Sequence, residues 1–184
     1  MTALSRDRAA LLVVDIQERL APAMPEAVLA QVVRNTTILI DAAQRLGLPI
    51  VVSQQYPKGL GATVPAIASV LPATAHRFDK VEFSAANGLP PGLIGAKDGR
   101  DQWIIAGMET HICVYQTARG LVARGLNAYV AIDAACSRTK LNWKVGRDLI
   151  EKDGARVTST ETVVFDLLGR AGSDEFKAIS KLIR

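Results

Sequence analysis

The chain alternates short, wholly apolar runs with longer stretches in which apolar residues recur every third or fourth position. Residues 9–15, Ala-Ala-Leu-Leu-Val-Val-Asp, form such a run and end in a carboxylate. An apolar run without alternation suits a strand covered on both faces, as in a parallel sheet. Residues 27–46 then place Val28, Val32, Thr36, Leu39, Ala43 and Leu46 on one face of a long helix. Gly47 stops that helix, and Leu48-Pro49 leads into a strand over 50–53. Residues 56–73 are rich in Gly and Pro and predict a loop with room for one short helix. The same reading predicts strands over 75–80, 102–107, 128–132 and 156–159. Helices are expected over 110–124, 141–152 and 174–182, with a Pro/Gly-rich connection over 87–95. Strands alternating with helices imply parallel strands joined by right-handed crossovers. The expected architecture is α/β, a three-layer α/β/α doubly wound (Rossmann-like) sheet of about six mainly parallel strands. Ligands of such sheets bind beyond the carboxyl ends of the strands.

Length and composition narrow the classes. A chain of 184 residues fits a single domain over 1–184 with a sizeable core. The formal charge of +4 is spread over 22 basic and 18 acidic residues without a block of like charge, and aromatic residues are 5%. Nucleic-acid binders concentrate basic charge and interleave stacking rings, so no nucleic-acid partner is expected. No segment approaches the roughly 20 apolar residues that cross a bilayer, so no membrane partner is expected either. The N-terminal stretch Met1-Thr2-Ala3-Leu4-Ser5-Arg6-Asp7-Arg8 is polar and unlike a secretory signal. Cys113 and Cys136 are too few for a disulfide framework, and a cytoplasmic location follows as the expectation.

The candidate chemistry gathers at strand ends. Cys113 lies in Gly107-Met108-Glu109-Thr110-His111-Ile112-Cys113-Val114, between a predicted strand and a predicted helix. The amides and partial positive charge of a helix N-terminus stabilise thiolate over thiol and can hold an oxyanion. Asp15 and Lys80 end two other predicted strands at the same edge. Singly, Cys113 reads first as a small buried hydrophobe, Asp15 as a cap or turn residue and Lys80 as a surface lysine. Together they suggest a nucleophile, a proton acceptor and a cation that balances both.

Asp15-Ile16-Gln17, Lys80 followed by Phe83-Ser84, and the segment from Gly107 to Val114, in this order, resemble the isochorismatase-like cysteine hydrolases. The loop Gln54-Gln55-Tyr56-Pro57-Lys58-Gly59-Leu60-Gly61 looks most like the isochorismatase-domain-containing subgroup. The resemblance implies Asp15, Lys80 and Cys113 as a catalytic triad. It implies a cis peptide between Met108 and Glu109, with the backbone amides of Glu109 and Cys113 as the oxyanion hole. The implied reaction is hydrolysis of a small amide-like substrate through a thioester, with no cofactor. Isochorismatase-type vinyl-ether hydrolysis and a non-catalytic binding protein on the same fold are the alternatives. Nicotinamidases of the superfamily bind a metal with Asp and His near this second-strand loop. Here Gln54 and Gln55 stand there and the histidines are His76 and His111 alone, so no metal is expected. Gln17, Tyr56, Phe83 and Thr110 are candidates to line or support the pocket, Thr110 as a bracing hydroxyl or cap. A small-molecule substrate and a homo-oligomeric assembly complete the expectations.

Overall fold

A computed structural model describes residues 3–94 and 100–183. Gly95 of the predicted 87–95 connection, and Met1 and Thr2 of the polar N-terminal stretch, lie outside the described residues. Six strands, β1 (Ala9–Val14), β2 (Ile50–Gln55), β3 (His76–Lys80), β4 (Gln102–Met108), β5 (Asn127–Cys136) and β6 (Arg156–Thr158), form one sheet. Its order is β3-β2-β1-β4-β5-β6, and every pairing is parallel. The helices are α1 (Glu26–Arg45), the short α2 (Pro57–Leu60) and α3 (Pro65–Ala68), α4 (Tyr115–Ala123), α5 (Lys140–Lys152), α6 (Thr160–Leu168) and α7 (Asp174–Ile183).

All six residues of β1 are buried, as their unbroken apolar run requires. Leu11 and Val13 face a core shared with Ile38 and Leu39 of α1, Val163 of α6 and Ile179 of α7. Leu12 and Val14 face the opposite core, with Ala118 and Leu121 of α4 and Ile150 of α5. This alternation of side chains across the strand produces the three layers.

Residues 56–73 hold two short helices where one is expected, and α4 starts only at Tyr115; two further departures have identifiable causes. Residues 160–168 form a helix, although Thr160, Thr162, Val163 and Val164 favour strands. The Ser159 hydroxyl accepts from the Thr162 amide, and the Asp133 carboxylate accepts from the Thr160 amide at 2.7 Å, so the helix start is capped twice. Strand β5 runs to Cys136, four residues past its predicted end at 132, because a register shift opposite Ile105–Gly107 lets pairing resume at Ala135 and Cys136.

Chain direction diverges between β1 and β4, which are neighbours in the sheet. The crevice beyond their carboxyl ends is the switch point at which such folds bind ligands. Gly107 makes this junction possible. Its φ is +139°, and a Cβ there would lie 2.0 Å from the Val14 carbonyl oxygen. Any side chain would push β4 away from β1.

Candidate active site

Asp15 directly follows β1 and is fully buried, with a left-handed φ of 51°. Its amide donates to the Ser53 carbonyl, and its Oδ1 accepts from the Ser53 hydroxyl at 2.7 Å. Its Oδ2 accepts from Lys80 Nζ at 2.6 Å. Lys80 closes β3, opposite Gln55 in the register, so its side chain must cross β2 to reach Asp15. Along that path Nζ also donates to Gln55 Oε1 at 2.7 Å, to the Phe83 carbonyl at 3.0 Å and to the Glu82 carbonyl at 3.2 Å. Both charges are thus out of water and paired. Burial on these terms requires this many partners.

Cys113 lies in a π-type turn, Thr110–Val114, that leads from β4 into α4. Cys113 is 6% exposed, and its thiol lies close enough to Asp15 and Lys80 to feel both charges. Burial first, then the charge of Asp15, pushes it up to about 12 against the opposing charge of Lys80. The resting group is therefore a thiol, not the thiolate expected from a helix N-terminus. Desolvation of the sulfur outweighs the positive end of the helix.

The Met108–Glu109 peptide is cis. The Glu109 carbonyl accepts from the amides of Ile112 at 3.0 Å and Val114 at 3.2 Å, and passes over the Cys113 amide between them. The Glu109 carboxylate is buried and bound by Arg138, whose Nη2 lies 2.5 Å from Oε1. Burial works to raise this carboxyl, and the bonds from Arg138 hold it below the usual range. His111 Nδ1 lies 3.0 Å from the Ser137 hydroxyl, and burial lowers the imidazole's affinity for a proton.

The supporting residues fall out differently from expectation. Gln17 is buried but does not bond Asp15; it accepts from the Gln55 amide and donates to the Gln55 and Gly61 carbonyls. Its effect on the site passes through Gln55, which holds Lys80. Thr110 caps nothing: its hydroxyl is buried with no hydrogen-bond partner among the described residues, and the turn starts at Glu109 without a side-chain cap. Tyr56 is 54% exposed and Phe83 is 53% exposed, so neither is a core residue. Tyr56 covers Gly59, and Phe83 serves Lys80 through its carbonyl. Ser53 and Gln55 bind the charged pair, a role the sequence does not announce for either. Its trace is the polar ending Ser-Gln-Gln on an otherwise apolar strand.

His76 opens β3, whereas His111 follows β4, so the two histidines belong to opposite ends of the sheet. Among the described residues no three His, Cys, Asp or Glu side chains cluster as a metal site would require.

A wholly parallel six-stranded sheet with helices on both faces defines a doubly wound α/β protein. The family model described as isochorismatase domain matches residues 9–162, and the chain belongs to the isochorismatase family. It is 36% identical to the secreted isochorismatase effector Isc1 of Phytophthora sojae over 159 residues, covering 85% of this chain and 76% of that protein. Isochorismatase domain-containing protein 1 of Salmo salar is 32% identical over 172 residues, covering 92% of this chain. The chain spans only 59% of that protein's length. The structure of the MAR1 ribonuclease of Caenorhabditis elegans superposes with a TM-score of 0.90 at 34% identity, covering 99% of this chain and 92% of that one.

Proposed function

We propose that this protein hydrolyses a small amide-like substrate at a C–N bond, with Cys113 as nucleophile, Asp15 as proton carrier and Lys80 as their counter-charge. The observation that carries the reading is the buried Lys80–Asp15 pair at 2.6 Å beside a thiol close enough to feel both charges. A neutral thiol needs a base at the moment of attack. As the sulfur bonds to the substrate carbonyl carbon, its proton passes to Asp15. Lys80 steadies the growing charge on sulfur, while the amides of Glu109 and Cys113 receive the oxyanion. A well-placed donor of this kind contributes about 3–4 kcal/mol in known cases. The intermediate then collapses: the C–N bond breaks, and Asp15 gives its proton to the leaving amine. Water, deprotonated by Asp15, next attacks the thioester, releases the acid and returns the proton to sulfur. Only water is consumed, so the cycle calls for no redox group.

One observation favours a second reading, the family's vinyl-ether hydrolysis. A thiol pushed up to about 12 is a poor resting nucleophile, and Asp15, once it has taken up a proton, would serve as the acid for an ether without help from sulfur. Release of ammonia, carboxylate and pyruvate from a panel of primary amides, carbamoyl compounds, nicotinamide and isochorismate separates the two. Cys113→Ala abolishes C–N hydrolysis under the first reading and spares pyruvate release under the second. RNA belongs in the panel because of the name of the Caenorhabditis elegans protein; no cleavage is expected, given the scattered charge.

A homo-oligomer is part of the proposal. Exposed Val28, with Pro25, Ile132 and Trp143, lines a groove of about 480 Å³ between α1, β5 and α5, and Leu141 and Val145 are exposed elsewhere on α5. Light scattering coupled to gel filtration tests it, and a monomer at high concentration would refute it. No helix among the described residues is long and apolar enough to cross a membrane. Cytoplasmic residence is proposed from the two free, buried cysteines, and cell fractionation tests it against export.

A further inference from the structure

We infer that Arg138 is a positioning residue for acyl transfer: it holds the oxyanion-binding backbone through the side chain of Glu109. The inference rests on the acyl-transfer reading above. Glu109 has two separate tasks. Its main chain supplies one proposed oxyanion amide, and its carbonyl gathers the amides of Ile112 and Val114 that shape the turn around Cys113. Its side chain is 3% exposed, so the carboxylate depends on protein partners rather than water.

Arg138 supplies those partners. Its Nε lies 3.1 Å from both carboxylate oxygens, its Nη2 is 2.5 Å from Oε1, and its own amide donates to Oε2 at 2.9 Å. A planar fork plus a backbone donor fixes both the position and the rotation of a carboxylate. Fixing the side chain of Glu109 fixes where its amide points.

The neighbouring contacts come from the same segment of chain. Ser137 holds His111 through its hydroxyl. Gly146 of α5 lies so close that a Cβ there would be 2.7 Å from His111 Cα and N and from the Thr110 carbonyl carbon. Residues 109, 110 and 111 are therefore backed by the stretch from 137 to 146. Within it, Arg138 makes the charged contact, and its side chain is 53% exposed. The charged groups acting on the Cys113 thiol are Asp15 and Lys80. Arg138 thus bears on the reaction through the shape of the oxyanion site and not through the reactivity of sulfur.

Two reactions at one thiol separate these effects. Acylation of Cys113 by p-nitrophenyl acetate forms the S–C bond, passes through an oxyanion and expels p-nitrophenolate. Alkylation by iodoacetamide forms the S–C bond by displacing iodide, with no oxyanion. In both, the thiol proton leaves to the same acceptor. In Arg138→Ala, acylation is expected to slow on the order of 10- to 100-fold, less than complete loss of a donor, while alkylation keeps its wild-type rate. Because the arginine side chain reaches solvent, millimolar methylguanidinium should restore part of the acylation rate in this variant and leave wild type unchanged. Glu109→Gln keeps the backbone and removes the charge; it should show the same selective loss without rescue, and serves if Arg138→Ala does not fold. Equal slowing of both reactions, or no slowing of acylation, overturns the inference. Wild-type protein alkylated but never acylated at Cys113 would instead sink the acyl-transfer reading itself.

Discussion

Replacing Lys80 by Met removes the ammonium while keeping a chain of similar length. Four acceptors lose their donor: Asp15 Oδ2, Gln55 Oε1 and the carbonyls of Glu82 and Phe83. Asp15 is fully buried and keeps the Ser53 hydroxyl on its other oxygen, but no cation. Breaking a buried pair by deleting one partner costs about 3–5 kcal/mol, because the remaining charge is uncompensated. For a chain of this size each kcal/mol shifts Tm by about 2–4 °C, so a fall on the order of 6–20 °C is expected. Adding Asp15→Asn removes the stranded charge, and the double variant should lose less stability than the two single losses together. Contacting residues couple by about 0.5–3 kcal/mol, and a buried pair belongs at the upper end. Urea unfolding followed by tryptophan fluorescence, with thermal melts alongside, measures all four corners of the cycle. Strictly additive losses, or a Lys80→Met midpoint equal to wild type, would refute the idea that this pair is a single electrostatic unit.

Two further outcomes follow from the packing. Cys136 is fully buried, and burial, aided by the charge of Glu109, pushes its thiol up from 9.0 to about 12. Above about pH 9 the unfolded chain releases this proton first and so binds fewer protons than the folded one. Stability therefore falls as pH rises, by about 1.4 kcal/mol per unit from this group; the plot of unfolding free energy against pH between about 9 and 11 should be flatter for Cys136→Ala by that amount. Gly146→Ala forces a methyl against the backbone of Thr110 and His111, at an expected cost of about 1–3 kcal/mol. It should also slow acylation of Cys113, and a variant with wild-type melting and acylation rate would contradict the contact.

β1 and β4 were readable because parallel strands buried on both faces leave unbroken apolar runs, and Asp15 stood out as the carboxylate closing one of them. β3 is an exposed edge strand without such a run, so Lys80, like Cys113 in the turn after β4, gained its meaning only from the set of three. What holds them was hidden. Ser53 and Gln55 act across neighbouring strands, and nothing local tells a polar strand end that binds an ion pair from one that meets water. Arg138 carries no local signal, since its partner Glu109 lies 29 residues away. Helix α6 escaped because caps supplied by Ser159 and the distant Asp133 override the strand preference of its own residues. Helix position suggested a thiolate at Cys113; the depth of its burial, which only the folded chain reveals, reverses that sign.

The central claim is that sulfur, carboxylate and ammonium act as one nucleophilic unit, and mass spectrometry of the intact protein quenched during turnover of a reactive amide tests it most directly. The account predicts one acyl group on Cys113 in the wild type, none in Cys113→Ala, and far slower accumulation in Asp15→Asn. Full turnover by Cys113→Ala with no acylated wild-type protein at any time point would contradict it.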